Sequence, residues 1–296
     1  MSNELPRIAS RMPLRRWTEG SWCTFDQSRA QLFARALGEH DSRLLAGTQL
    51  CETFAILPAW QTQESVVDTA FGSEAMAHGV HGEQRFEFVR PMEADSDVRS
   101  RSRIVGVRHR EKGTLLAISS EVLDRQGVLN RQQEIIFALG VWLEPQRTVG
   151  AGEDLHVPEQ GDFASSDFEG IWNATKSQIT LYANASGDHF KVHTDVDYAQ
   201  SLGYSSTIMH GMCTMGVATR SVRECVQRYG EVRLAALGVR FRAPVTPPAQ
   251  LLTRVAIHDV TPTELSGRYE TIDLEKNLVV LSQGYFLGKL PHRFVP

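Results

Sequence analysis

The chain has 296 residues, 42% of them apolar, and its 31 basic and 35 acidic side chains leave a net charge of −4. That composition suits one or two ordinary globular cores and argues against a nucleic-acid binder working by bulk positive charge. The longest apolar run, Ile135 to Leu143, is far too short to span a bilayer and reads as a buried strand. Cys23, Cys51, Cys213 and Cys225 are scattered with no C-x-x-C, which fits reducing conditions and a cytoplasmic location. Arg7, Arg11, Arg15 and Arg16 read as a frayed basic N-terminus rather than an organellar presequence, and the terminal HRFVP is not a peroxisomal address.

From the N-terminus onward, Pro58 is expected to interrupt the first half's long helix. Strand-like runs follow: Phe86 and Phe88 alternating with Arg85, Glu87 and Val89, then Val98–Val107, Thr114–Leu123 and Gln133–Leu143. Glu144 to Ser166, with Pro145, Pro158 and three glycines, has linker chemistry, so the boundary is expected near residue 150, giving 1–150 and 151–296. In the second half Met212, Met215, Thr219, Val222, Val226 and Tyr229 form one apolar stripe on a helix that Gly230 ends. Arg220, Arg223, Glu224, Gln227 and Arg228 occupy its other face. Strands are predicted over Leu237–Phe241, Leu251–Ile257, Tyr269–Ile272 and Leu278–Leu287.

The chain also repeats itself. Leu32–His40 (LFARALGEH) matches Leu181–His189 (LYANASGDH) at an offset of 149, and Phe88–Pro91 answers Phe241–Pro244 at 153. A helix followed by antiparallel strands, twice over, is an α+β reading.

The densest polar cluster runs from Tyr182 through Asp188 and His193 to Asp195, with His210-Gly211-Met212 opening the striped helix. A carboxylate and an imidazole five residues apart on a turn can hold one water and share its protons. Gly211 at a helix N-terminus offers a backbone N–H to a developing oxyanion. His189/His193 and His78/His81 have metal-like spacing but no evident third ligand, so no metal is expected. Cys213 reads as a small packed residue rather than an activated thiolate. No G-x-S-x-G elbow or G-x-G-x-x-G after a strand occurs, which removes serine hydrolases and dinucleotide enzymes.

Tyr182 to Gly216 resembles the signature of the MaoC-like, (R)-specific enoyl-CoA hydratases (hydratase 2 family): Y-x-x-x-S-G-D-x-N-P-x-H-x-D, A-x-x-x-G, I-x-H-G-[ML]-C-T-x-G. It stands here as YANASGDHFKVHTD, Ala199–Gly203, and Ile208-Met-His-Gly-Met-Cys-Thr-Met-Gly216, followed by Arg240–Val245 (RFRAPV). His81–Gln84 and Arg90-Pro91 resemble the amino-terminal repeat of two-domain members.

The resemblance implies a double hot-dog fold, each repeat a long helix wrapped by an antiparallel sheet. It implies an acyl-CoA thioester substrate, a homodimer, and no cofactor, nucleic acid or membrane partner. Asp188 and His193 would activate the water that adds to a trans-2-enoyl-CoA, and Gly211 would bind the thioester oxygen. Which of the two acids and bases takes the water proton is not fixed by sequence. His210, Phe190 and Lys191 are the candidate substrate contacts, and Phe190-Lys191 stands where the family has Asn-Pro. Glu39 and Leu44 replace the catalytic pair in the first repeat, leaving one active site per chain. The interrupted first-half helix would either leave room for a bulky acyl group or mark a purely structural repeat. Arg220, Arg223, Arg240 and Arg242 are candidates for CoA phosphates, with a solvated basic face the simpler reading of each. The alternatives are a non-catalytic acyl-thioester-binding subunit, which the loss of Asn-Pro would suit, and a hot-dog thioesterase.

Overall fold

The structure, a computed structural model, describes residues 5–76, 79–150, 153–155, 163 and 165–290. His78 and the HRFVP terminus lie outside the described residues. The first elements are the short strands β1 (Arg7–Ala9), β2 (Thr18–Glu19) and β3 (Cys23–Thr24). Helix α1 (Gln27–Ala36) starts where the Asp26 carboxylate accepts the Arg29 N–H, and α2 (Ser42–Leu45) where Asp41 accepts from Arg43.

Helix α3 (Ile56–Phe71) corrects the expectation at Pro58: it runs unbroken for 16 residues. Pro58 sits in its first turn, where a backbone N–H has no helical partner to lose. Strands β4 (Gly79–Phe88), β5 (Asp97–Arg110), β6 (Gly113–Asp124), β7 (Gly127–Leu139) and β8 (Trp142–Glu144) follow. The apolar run at 135–143 is therefore two strands, broken at Gly140 with its φ of 77°.

The remaining elements are β9 (Phe168–Ala174), α4 (Lys176–Ser186), the short α5 (Lys191–Thr194) and α6 (Val196–Ser201), and α7 (Gly211–Val226). Strands β10 (Arg233–Phe241), β11 (Ala249–Val260), β12 (Glu264–Asp273) and β13 (Leu278–Lys289) complete the chain.

Packing groups residues 1–24, 55–91 and 97–157 in one unit and residues 25–54, 92–96 and 158–296 in another. In the first unit the strand order is β2-β5-β6-β7-β4, all antiparallel. Val66, Val67, Ala70 and Phe71 of α3 bury against Ile104, Val107, Leu116 and Ile118 of that sheet. The basic segment is held where Arg7–Ala9 (β1) pair in parallel with β8 and Arg7 bonds Glu144, which corrects the frayed reading for those residues.

In the second unit the order is β9-β11-β12-β13-β10, again antiparallel, with α7 lying over the sheet. Each unit thus has the same strand order and one 16-residue helix, as a duplicated module requires. Residues 25–54 belong to the second unit because α1 packs on α4, with Phe33 and Tyr182 in ring contact at 5.4 Å.

Helix α7 is buried nearly all round, which corrects the amphipathic reading. Segment 25–54 covers its charged face: Leu37 and Thr53 press against Gly216, where a Cβ would lie 2.6 Å from Leu37. Arg223 bonds both oxygens of Glu39 and reaches Glu52, and Arg220 donates to the Gly38 carbonyl. Among the described residues no helix is long and apolar enough to cross a membrane.

Candidate active site

Helix α4 stops at Gly187, whose φ of 85° lies in the left-handed region that favours glycine. The reversal delivers Asp188, whose N–H bonds Ser186 Oγ and whose Oδ1 accepts the Phe190 N–H, both at 3.1 Å. One turn of helix, α5, then carries His193. Its Nδ1 lies 2.8 Å from the Ile208 carbonyl, and a carbonyl only accepts, so Nδ1 holds the proton and Nε2 keeps a lone pair. Burial lowers the pKa of His193 against the opposing pull of Asp188, so the ring is a neutral base at pH 7.

His210 closes the cluster. The Met209 N–H bonds the Val245 carbonyl, and the Ile208 N–H the Val192 carbonyl, which fixes the chain entering α7. His210 is 1% exposed and donates from Nε2 to the Asp188 carbonyl at 3.0 Å. Its ring stacks on His193, with centroids 3.9 Å apart, and leans on Tyr182 at 4.9 Å. Burial, and then the neighbouring His193, push its pKa down to about 4. Side-chain ligand atoms of Asp188, His193 and His210 all fall within 4.8 Å of one another.

That set has the composition of a metal site, and one nitrogen of each imidazole is already engaged with a backbone carbonyl, His193 Nδ1 with Ile208 and His210 Nε2 with Asp188. His189 is exposed and lies outside the cluster, so the H-x-x-x-H pair is not brought together as ligands.

Gly211 is the first residue of α7, where the N–H has no helical acceptor and the dipole is positive. A Cβ there would lie 3.2 Å from the Phe241 ring, so glycine preserves the close approach. Phe190, 44% exposed, is the N-cap of α5 without a side-chain capping bond. It meets Tyr198 edge-on, and Lys191 Nζ lies 6.0 Å from the same ring.

The Cys213 thiol is buried and its pKa strongly raised, as a packed residue's should be. Arg220 and Arg223 are neither solvated nor open to a phosphate, because both are buried against segment 25–54. Arg242 is exposed and Arg240 half-buried. Sequence reasoning passed over the supporting roles of Tyr182 and the Ile208 carbonyl. Tyr182 stood in the quoted motif, but a ring contact 28 residues along the chain leaves no local signal.

Comparison with known proteins bears on this geometry. Residues 164–277 match the MaoC like domain, and residues 25–140 match the MFE-2 hydratase 2 N-terminal domain. The peroxisomal hydratase-dehydrogenase-epimerase of Saccharomyces cerevisiae is 25% identical over 245 residues, covering 79% of this chain and 26% of that protein. The peroxisomal enoyl-CoA hydratase 2 of Arabidopsis thaliana is 23% identical over 217 residues, covering 70% of this chain and 67% of that protein. The chain thus spans about a quarter of the yeast relative's length and about two thirds of the plant one's.

Among solved structures, full-length peroxisomal multifunctional enzyme type 2 from Drosophila melanogaster superposes with a TM-score of 0.75 at 24% identity, over 91% of this chain and 48% of that one. A Mycobacterium tuberculosis protein described as a double hotdog fold gives 0.59 at 12% identity, over 94% of this chain and 96% of that one. The α+β architecture is a double hot dog, and the chain carries an MFE-2 hydratase 2 N-terminal domain followed by a MaoC-like domain.

Proposed function

We propose that this protein catalyses (R)-specific hydration of a trans-2-enoyl-CoA to a 3-hydroxyacyl-CoA, or the reverse dehydration. The observation that carries the reading is the tautomer of His193: with Nδ1–H donated to Ile208, Nε2 presents a neutral base beside the Asp188 carboxylate at the head of α7. Asp188 orients a water, and His193 Nε2 accepts its proton as the oxygen bonds the β carbon. The pair returns a proton to the α carbon, so none is gained or lost over the turnover. The Gly211 N–H receives the thioester oxygen; a donor of this kind contributes ~3–4 kcal/mol to transition-state stabilisation.

His210, at 1% exposure, holds Asp188 and His193 rather than touching substrate. Phe190 and Lys191, beside Tyr198, are the substrate contacts in this reading, and no metal or cofactor takes part. A homodimer, a cytoplasmic location, and a first repeat ending near residue 150 belong to the same proposal. The unbroken α3 removes the argument that an interrupted helix makes room for a bulky acyl group.

The test is loss of enoyl absorbance with a series of trans-2-enoyl-CoAs, with Asp188→Asn and His193→Ala as controls. Turnover that collapses in both variants supports the hydratase. Acyl-CoA binding without turnover in the parent chain would replace it with a non-catalytic acyl-thioester-binding subunit.

A further inference from the structure

We propose that Arg29, contributed by the first repeat, is a positioning residue that holds the Asp188 turn of the second; this rests on the function proposed above. Arg29 Nε donates to the Ala185 carbonyl and a terminal guanidinium nitrogen to the Ser186 carbonyl, both at 2.8 Å. These are the last two residues of α4, whose carbonyls have no helical donors of their own. The same nitrogen lies 3.1 Å from where a Gly187 Cβ would stand, so the guanidinium packs directly against the left-handed residue that precedes Asp188. Ser186 then hands the order on, since its Oγ accepts the Asp188 N–H.

The repeat offset of 149 gives this contact a counterpart. It pairs Arg29 with Gln178 and Ala185 with Ala36, and Gln178 Nε2 does donate to the Ala36 carbonyl at 2.6 Å. The two helices therefore clamp each other's C-terminal ends reciprocally, as a two-fold contact between copies does. The clamps differ in kind. The end leading to Glu39 takes one neutral amide bond from α4 and a further bond from Arg220 of α7 to the Gly38 carbonyl, whereas the end leading to Asp188 is held by a charged two-pronged fork from α1 itself. Among the described residues no side chain of the second repeat donates to these two carbonyls, so α1 completes the site rather than merely covering it.

The experiment compares Arg29→Ala and Arg29→Gln in the full chain, the latter placing at 29 the residue type its counterpart uses. Displacing the turn by a fraction of an ångström should lower kcat of Arg29→Ala by about tenfold to a hundredfold with KM little changed. Arg29→Gln should be intermediate, and guanidinium ion in the assay should restore part of the Arg29→Ala rate without raising the parent's. An unchanged kcat, or a loss that guanidinium does not relieve and that follows the unfolded fraction, would overturn the proposal.

A second readout needs no turnover. The Asp188 charge raises the pKa of His193, so a displaced Asp188 should move the NMR titration of the His193 ring in Arg29→Ala to lower pH. An unmoved titration counts against Arg29. If the parent chain turns over no enoyl-CoA, the hydratase reading fails and the titration still decides this one.

Discussion

Residues 38–45 and 187–194 are the same piece of backbone put to two uses. Each opens with a glycine of positive φ, 64° at Gly38 and 85° at Gly187, followed at once by an acid. Each then forms a four-residue helix, α2 or α5, and the third position of that helix is Leu44 in one and His193 in the other. Glu39 is buried under Arg223, which bonds both its oxygens at 2.9 Å and shares itself with Glu52. Burial outweighs Arg223 and, with repulsion from Glu52, pushes the Glu39 pKa up to about 7. Asp188 keeps 16% of its side chain exposed and faces imidazoles. The turn alone therefore does not make a site. One copy anchors α7, and the other, in the function proposed above, carries the chemistry.

Matched substitutions in the two copies separate these roles. Asp188→Asn or His193→Ala should cut kcat about 10²- to 10⁴-fold, with the melting temperature little changed. Glu39→Gln, the equivalent change in the anchor copy, should leave turnover near the parent's, and equal losses at both positions would collapse the distinction. Next in size, Arg223→Ala strands the buried Glu39 and the half-buried Glu52 and should cost about 3–5 kcal/mol in urea unfolding.

The pH dependence of stability carries a sign. Glu39 holds its proton to about 7 in the fold but releases it near 4.5 when unfolded, so the folded state binds more protons between those values. Stability from this group is full below that window, falls as pH rises through it and levels off above. Urea midpoints at pH 5 and pH 7.5 should lie closer together in Glu39→Gln than in the parent. Glu134, pushed up to about 8 by burial, slopes the same way in both proteins and cancels in that difference.

The smallest effect is at the departure from the family motif. At the repeat offset Phe190 corresponds to Asp41, which caps α2 with its carboxylate, whereas Phe190 gives α5 no side-chain cap. Asn-Pro would be a strong helix start, Asn as cap and Pro at the first helical position. Phe190→Asn should thus stabilise the chain by about 1 kcal/mol, measured by thermal unfolding. Destabilisation instead would mean that the Phe190–Tyr198 contact outweighs the cap.

The period-two runs gave the strands, and the repeat LFARALGEH/LYANASGDH gave the duplication, because both are local patterns. The order of Asp188, His193 and Gly211 along the chain was legible for the same reason. Pro58 misled because a proline breaks a helix only beyond its first turn, and the turn count depends on where the helix starts. The charged side of α7 misled because its partners Glu39 and Glu52 lie more than 170 residues away, and periodicity cannot show that a polar stripe is covered. Arg29 was invisible for that reason too: its acceptors are backbone carbonyls, which any sequence supplies.

The placement of residues 25–54 in the second unit has a consequence for how the chain is made. Helix α1 is among the earliest elements to leave the ribosome, yet its partner α4 lies 149 positions further on. At the usual pace of synthesis it waits on the order of ten seconds or more with Phe33 and Ala34, both fully buried in the finished protein, still open to solvent. The first unit can meanwhile close around α3 with α1 and α2 looped out. Of two separately expressed halves cut at residue 150, the first would carry α1 and α2 with nothing to pack on, and the second would lack both that wall and the arginine proposed to steady its turn.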